Sequence, residues 1–260
     1  MQYGDLRWPQ VPDLTHRVVV LPLGSLEQHG HHLPLLTDSM ICSEIVRRAE
    51  VQLEDVALFL PLVWMGASEH HTRFPGTMSV RHETYTALLD DLLESVIRSG
   101  FKRILLLNAH GGNALPGQSA LYRVQMRHRD ERDLWLVFAT WFELAAGQIR
   151  AVPGLEQDHV THACELETSM VLGLRPELVD LNAARGAIVP FDSAFYAPDS
   201  RRASRVTLAR PMEHITATGG YGHPELATAE KGGALFEAVV DEVVACVREV
   251  AGWSEFEPNG

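Results

Sequence analysis

Cysteine is scarce, positive charge is in deficit, and long apolar runs do not occur. The three cysteines, Cys42, Cys164 and Cys246, are odd in number, far apart and free of any C-x-x-C spacing. Neither a disulfide framework nor a thiolate zinc site is expected from them. The 22 Lys and Arg residues are outnumbered by 34 Asp and Glu, for a formal net charge of −12. A phosphate backbone calls for a basic face, so nucleic acid is not an expected partner. The one local exception, RRASR at 201–205, reads as a solvated loop. No stretch approaches the ~18 apolar residues of a membrane span. The start, MQYGDLRWPQ, has no basic segment followed by an apolar one. Together these absences predict a cytoplasmic protein with no secretion signal and no membrane partner.

What is present is ordinary for a globular chain: 260 residues, 46% apolar and 22% charged. No repeat, low-complexity linker or shift of composition marks a boundary, so one domain over residues 1–260 is expected. Four apolar runs rich in branched residues read as buried strands: Val18–Leu23, Val56–Val63, Ile104–Leu107 and Leu134–Ala139. Helical periodicity follows at Ser39–Glu50, Glu83–Ser99, Leu115–Arg129, His162–Gly173 and Glu230–Val250. This alternation predicts an α/β fold with a mainly parallel sheet covered on both faces. Residues 175–227, rich in Pro, Gly and Arg, show no clear period, which suggests a lid or a subunit contact.

The unusual polar clusters all follow the strand runs: EQHGHH, WMGASEHH, NAHGGN and TWFE. Ligands in open parallel sheets bind beyond the carboxyl ends of strands, so four such clusters imply one shared pocket. Glu27 and His29, two apart, project to the same side of an extended chain. Asp38 follows a Pro-containing turn and opens the next helical segment, and His110 ends the third strand run. Carboxylates and imidazoles in this company suit Zn²⁺, Mn²⁺ or Fe²⁺. His31 and His32 lie beyond the point where the loop turns and receive no role.

Gly111, Gly112 and Asn113 precede a helix, where backbone N–H groups can meet a substrate or a developing oxyanion; a tight strand-to-helix turn explains them equally well. In THACELETSMVLGL, helical spacing gives Ala163, Leu166, Met170 and Leu174 the core face and puts His162, Glu165 and Ser169 on one flank. His162 and Glu165 are therefore expected to address one site. Glu167 falls near the apolar side, either buried with a partner or orienting a ligand. Ser68, Glu69, His70 and His71 after the second strand, and Trp141 as an apolar wall after the fourth, complete the substrate-side candidates.

These stretches, with LPLGSLEQHGHHLPLLTD, SEHHTRFPGT, NAHGGN, THACELETSMVL and GHPELATAEKG in that order, make the chain similar to the creatininase (creatinine amidohydrolase) family. The resemblance implies a three-layer α/β/α fold, a site for two divalent ions bridged by a carboxylate, and a ring-like homohexamer. It assigns Glu27, His29, Asp38 and His110 as metal ligands, Asp38 as the bridge, and His162 as the group that handles protons at the substrate. Creatininase itself has a glutamate ligand where this chain has Gly112, so Glu165 is expected to take its place, with Glu167 as the fallback.

The family's chemistries include opening cyclic amides, removing formyl groups, trimming a redox-cofactor precursor peptide and cleaving a carbocyclic ketone. The expected function is hydrolysis of a C–N bond in a small cyclic amide or formamide by a metal-activated water. His162 would then protonate the leaving nitrogen. Alternatives are a metallopeptidase trimming a short precursor peptide of the mycofactocin type, and a non-catalytic, metal-stabilised oligomer that binds a small ligand.

Overall fold

Every residue of the first apolar run is buried, which is what a strand covered on both faces requires. The computed structural model describes residues 1–157, 160–187, 193–196 and 205–255. The chain runs β1 (Val18–Leu23), α1 (Thr37–Gln52), β2 (Ala57–Phe59), α2 (His82–Arg98), β3 (Arg103–Asn108), α3 (Ala114–Arg127) and β4 (Trp135–Thr140). It continues through two short helices, α4 (Trp141–Leu144) and α5 (Ala146–Arg150), to α6 (Glu165–Leu174) and α7 (Ala229–Ala251).

The four strands form a parallel sheet in the order β2-β1-β3-β4. Alternation along the strands divides the apolar side chains between two cores. Val18, Val20, Leu105 and Leu107 pack with α1, α6 and α7. Val19, Leu21, Ile104 and Leu106 pack on the other face with Tyr85, Leu89 and Leu93 of α2 and Ala120 and Val124 of α3. The result is the expected α/β/α sandwich. β2 is much shorter than its apolar run because the ladder slips by one residue beyond Leu60, where Val63 rather than Leu62 donates to Pro22 O. The segment still tracks β1, with Leu60 N donating to Val20 O at 2.9 Å and Val63 N to Pro22 O at 3.0 Å.

From β1 the chain first builds outward to β2, then crosses back to place β3 on the other side of β1. The strand order therefore reverses between β1 and β3, and their carboxyl ends frame the crevice where such sheets bind ligands. Across the described part of residues 175–227 the chain makes only short 3-10 turns, at Pro176–Leu178, Leu181–Ala183, Met212–His214 and Pro224–Leu226. Tyr221 returns to the sheet's carboxyl end, exchanging backbone hydrogen bonds with His162 at 2.7 and 3.2 Å. Arg201, Arg202, Ala203 and Ser204 of the basic run lie outside the described residues. Among the described residues no helix is long and apolar enough to cross a membrane.

α7 carries much of the first core and is tightly packed on α6. Thr228 caps it, its hydroxyl accepting from Lys231 N at 3.2 Å. A Cβ at Gly232 would lie 1.9 Å from the Ser169 carbonyl oxygen, in the backbone of α6, whereas Gly233 next to it faces open space. Gly232→Ala is accordingly expected to destabilise the protein by about 2 kcal/mol, a fall in Tm of roughly 5 °C. Gly233→Ala, which gains helix propensity without a clash, should leave Tm unchanged or slightly raised. Thermal unfolding followed by circular dichroism of the two variants checks the contrast.

Candidate metal centre

The loop after β1 is folded back on itself by Glu27 N donating to Leu35 O at 2.9 Å. Gly30, at φ 66°, makes the reversal that other residues disfavour. Asp38 thereby returns, in the first turn of α1, to the side chains that left the sheet eleven residues earlier. His29 Nε2 lies 3.0 Å from Asp38 Oδ1, and His110 Nδ1, two residues past β3, lies 3.1 Å from Asp38 Oδ2. Asp38 thus stands between two imidazoles, one on each oxygen, and Ser25 Oγ donates to Oδ2 at 2.7 Å. Glu27 Oε1 is 3.2 Å from His110 Nδ1.

The far ring nitrogens are held as well. His29 Nδ1 faces the Glu27 carbonyl oxygen at 3.2 Å, and His110 Nε2 faces Ser68 Oγ at 3.2 Å. Such outer contacts fix which nitrogen of a ligand ring points inward.

The segment before α6 supplies the other side. Ala163, fully buried, sits at φ 49°, in the left-handed region that non-glycine residues rarely adopt. This break places the start of the helix after His162, so the spacing of three between His162 and Glu165 does not put them on one flank. Glu165 turns away: its Oε1 receives Lys231 Nζ at 2.6 Å and its Oε2 receives the backbone N–H of Gln157 at 2.8 Å. Glu167, about half a turn further round the helix, faces the cluster instead. The expectation for Glu165 is corrected on that ground: of the two carboxylates, its fallback Glu167 is the one among the possible ligand atoms.

Three overlapping groups result, each with ligand atoms close enough to share an ion: Glu27, Asp38 and His110; His29, His162 and Glu167; and Glu27, His71 and His162. Both oxygens of Glu27, and Glu167 Oε2, are buried and accept no hydrogen bond among the described residues. Glu27 Oε1 has only the longer ion-pair contacts of His110 and His71 at 3.2 and 3.3 Å, and a buried carboxylate oxygen with no hydrogen bond is costly. Oxygen and imidazole donors facing each other in this way fit a divalent transition ion.

Electrostatics agrees with that fit. Burial opposes charge on every group here, but the imidazoles and carboxylates outweigh it for one another. His29 is pushed up to about 9 by Asp38, and His110 up to about 10 by Glu27 and Asp38. Asp38 is held well below the usual carboxylate range by His29 and His110, and Glu27 by His110 and His71. Glu167, where burial prevails and Asp38 adds repulsion, rises to about 7. His162 falls to about 3 through burial and the neighbouring His29 charge, against Glu27 and Asp38.

These groups open onto a cavity of about 270 Å³. Among the substrate-side expectations, His70 and Gly111 line it, and so does His162. Ser68 does not; it is fully buried and contacts His110. Gly112 is a packing necessity, since a Cβ there would lie 2.2 Å from Ala67 O and 2.5 Å from His110 Nε2. Asn113 is a fully buried clamp, accepting from Ala67 N at 2.9 Å and donating to Gly24 O at 3.0 Å. Trp141 lies in the apolar core, 1% exposed, and Phe142 takes the expected place on the cavity wall. His71, also expected on the substrate side, lines it as well, whereas Glu69 is exposed and does not. Sequence reasoning missed Met212 and Tyr221 on that wall and Gln28 behind it. The HH pair after the second strand marked His71; nothing local marks these three.

Residues 4–247 match the creatininase family, described as creatinine amidohydrolase. The chain is 34% identical over 269 residues to the mycofactocin precursor peptide peptidase of Mycobacterium tuberculosis strain CDC 1551, covering 100% of this chain and 94% of that protein. It is 28% identical to the creatinine amidohydrolase of Pseudomonas putida, covering 98% and 97% respectively. A putative creatinine amidohydrolase from Bacteroides fragilis superposes with a TM-score of 0.77 at 28% identity, over 99% of this chain and 98% of that one.

Glu167→Gln and Asp38→Asn are expected to lower the zinc or manganese retained on purification to well below half, while Glu165→Gln retains it but loses thermal stability. Elemental analysis with parallel melts separates the two carboxylates of α6. Protons on His29 and His110 must leave before an ion can bind, and both rings hold theirs up to about pH 9. Affinity of the chelator-treated protein for zinc should therefore fall with falling pH, about tenfold per unit for each proton displaced. A pH-independent affinity between pH 8 and 6.5, in competition with a chelating dye, would contradict the arrangement.

Proposed function

The chain belongs to the creatininase family, and from that membership we propose that it is a metal-dependent amidohydrolase that cleaves an amide C–N bond with water. The observation that carries the reading is Asp38, with one imidazole on each carboxylate oxygen, beside Glu27, whose Oε2 accepts no hydrogen bond among the described residues. Glu27, Asp38 and His110 would hold one divalent ion, and Asp38, His29 and Glu167 a second, zinc, manganese or iron. Bound there, such ions supply Lewis acidity to a carbonyl and lower the pKa of water.

His162 supplies the proton transfer. Its Nε2 points at the Gln28 carbonyl oxygen at 2.7 Å, and its Nδ1 lies 3.8 Å from Glu27 Oε1. Backbone contact on one nitrogen leaves the other free toward the cluster. As a neutral imidazole at pH 7, it first accepts a proton from the attacking water and then delivers it to the departing nitrogen. Gly111, on the cavity wall just before α3, is where the substrate carbonyl would approach the backbone.

A cavity of about 270 Å³, lined by His70, Phe142, Met212 and Tyr221 among others, supports a small cyclic amide or a formamide as substrate. A second reading has its own observation. The full-length likeness to a precursor peptide peptidase supports trimming of a peptide terminus, with the reacting amide in the same cavity and the remainder outside it. A homohexamer, the assembly the resemblance implies, is supported by Leu115, Tyr122 and Met126, exposed along one face of α3. The scarcity of cysteine supports a reducing, cytoplasmic compartment.

Metal-loaded protein should hydrolyse at least one member of a panel of lactams and formamides, with His162→Gln lowering kcat by 10²-fold or more, on the order of a general acid–base contribution. Mass spectrometry of the panel, with short peptides included, reads the outcome. Cleavage confined to peptides would replace the first reading with the second, and an intact panel would favour a ligand-binding oligomer.

A further inference from the structure

Gln28 lies between Glu27 and His29, and its side chain, off the cavity wall, reaches four groups, two of them histidines of the cluster. Its Oε1 accepts from Gly30 N at 2.9 Å. Its Nε2 is 2.7 Å from His71 Nδ1, 3.1 Å from Gly219 O and 2.9 Å from His162 Nε2. The amide orientation is settled by the two backbone partners, one a donor and one an acceptor. Room for it depends on Gly219, at φ 89°, where a Cβ would lie 1.8 Å from Gln28 Oε1.

The hydrogens then have one consistent placement. An amide nitrogen has two, and Gly219 O and His71 Nδ1 are its acceptors. His71 Nδ1 therefore carries no hydrogen, and a neutral His71 has its proton on Nε2, the nitrogen 3.3 Å from Glu27 Oε1. His162 Nε2 faces the Gln28 backbone oxygen at 2.7 Å, which requires a proton on that nitrogen and leaves Nδ1 bare. The 2.9 Å approach of Gln28 Nε2 to His162 Nε2 is a contact between two donors whose hydrogens point elsewhere. Both histidines are Nε2–H tautomers, but they stand in opposite orientations. The cluster meets a hydrogen-bond donor from His71 and an acceptor from His162.

We infer that Gln28 is a positioning residue that, through one side-chain amide and its own carbonyl, makes His71 a hydrogen-bond donor rather than a metal ligand and His162 a proton acceptor. The three-residue group of Glu27, His71 and His162 would accordingly not hold an ion, although its atoms are close enough. For an amide substrate the pair is complementary: a donor for the carbonyl oxygen and an acceptor for a proton in transit. The effect on turnover rests on the amidohydrolase reading; the protonation of the two rings does not.

Nitrogen-15 NMR of histidine-labelled full-length protein, chelated and then supplied with zinc, reads the tautomers directly. His71→Gln and His162→Gln identify the signals. Expected in the wild type are Nε2–H tautomers for both rings, with His71 Nε2 still protonated after zinc is added. Gln28→Glu puts an acceptor against His71 Nδ1, so that nitrogen should become protonated while His162 keeps its Nε2 proton. Should Gln28→Glu not fold, Gln28→Met removes the donor without adding charge, and the protonated fraction of His71 Nδ1 should rise. On any amide the protein turns over, kcat should fall at least about tenfold, as for loss of an outer partner, with KM changed by less than about threefold.

A bare His71 Nε2 in the zinc-loaded wild type, or a His71 Nδ1 that stays unprotonated in the variant, overturns the inference. If no amide is hydrolysed but the ring protons shift as described, the proposed reaction fails while the role of Gln28 stands.

Discussion

Three carboxylates, Glu27, Asp38 and Glu167, are buried within reach of one another, and the rest of the site depends on how that negative charge is neutralised. Removing ionised carboxylates from water costs several kcal/mol each unless opposite charge and hydrogen bonds replace the solvent. Asp38 meets the demand most fully, with Ser25 and two imidazoles around it. Glu27 has imidazoles near one oxygen only, at 3.2 and 3.3 Å, and its Oε2 and Glu167 Oε2 accept no hydrogen bond among the described residues. Protons on His29 and His110 can balance part of the charge, and divalent ions can balance all of it. A site built this way has metal affinity because its own folding leaves electrostatic work undone.

The sheet is what makes that concentration of charge tolerable in geometry. At the reversal of strand order between β1 and β3 the loops after both strands converge, so side chains eighty-three residues apart in sequence, Glu27 and His110, come within 3.2 Å. The helices that follow cover the two faces of the sheet but leave its carboxyl edge free. The strained backbone at Ala163 contributes in the same sense. It lets His162 pair with Tyr221 while the helix behind it aims Glu167 at the cluster, a division of labour that an uninterrupted helix would forbid.

Layered beneath the groups that would touch an ion is a set that only orients them. Ser68, Asn113, the carbonyl oxygen of Glu27 and the side chain of Gln28 each fix a ring or a loop without reaching the cavity. Ser68 and Asn113 were expected to contact substrate because they sit beside residues that line the cavity. In tight strand-to-helix turns neighbours along the chain point in different directions, so proximity in sequence is a poor guide to what a side chain faces.

What the sequence by itself determined is the part governed by local periodicity and by short-range chemistry. Runs of branched residues alternating with helical periods specified the parallel sandwich, and polar clusters after each strand located the site at its carboxyl edge. Glu27, His29, Asp38 and His110 were legible because their spacing and strand-exit positions need no knowledge of distant packing. Glu165 against Glu167, Trp141 against Phe142, and the parts taken by His71 and Gln28 were decided only by tertiary structure. The first turned on a left-handed Ala163 that shifts the helix register and on Lys231 of α7, sixty-six residues away, claiming one carboxylate. The others turned on which face of a turn meets the core. Both depend on contacts between remote segments, and no pattern within a single stretch of chain encodes them.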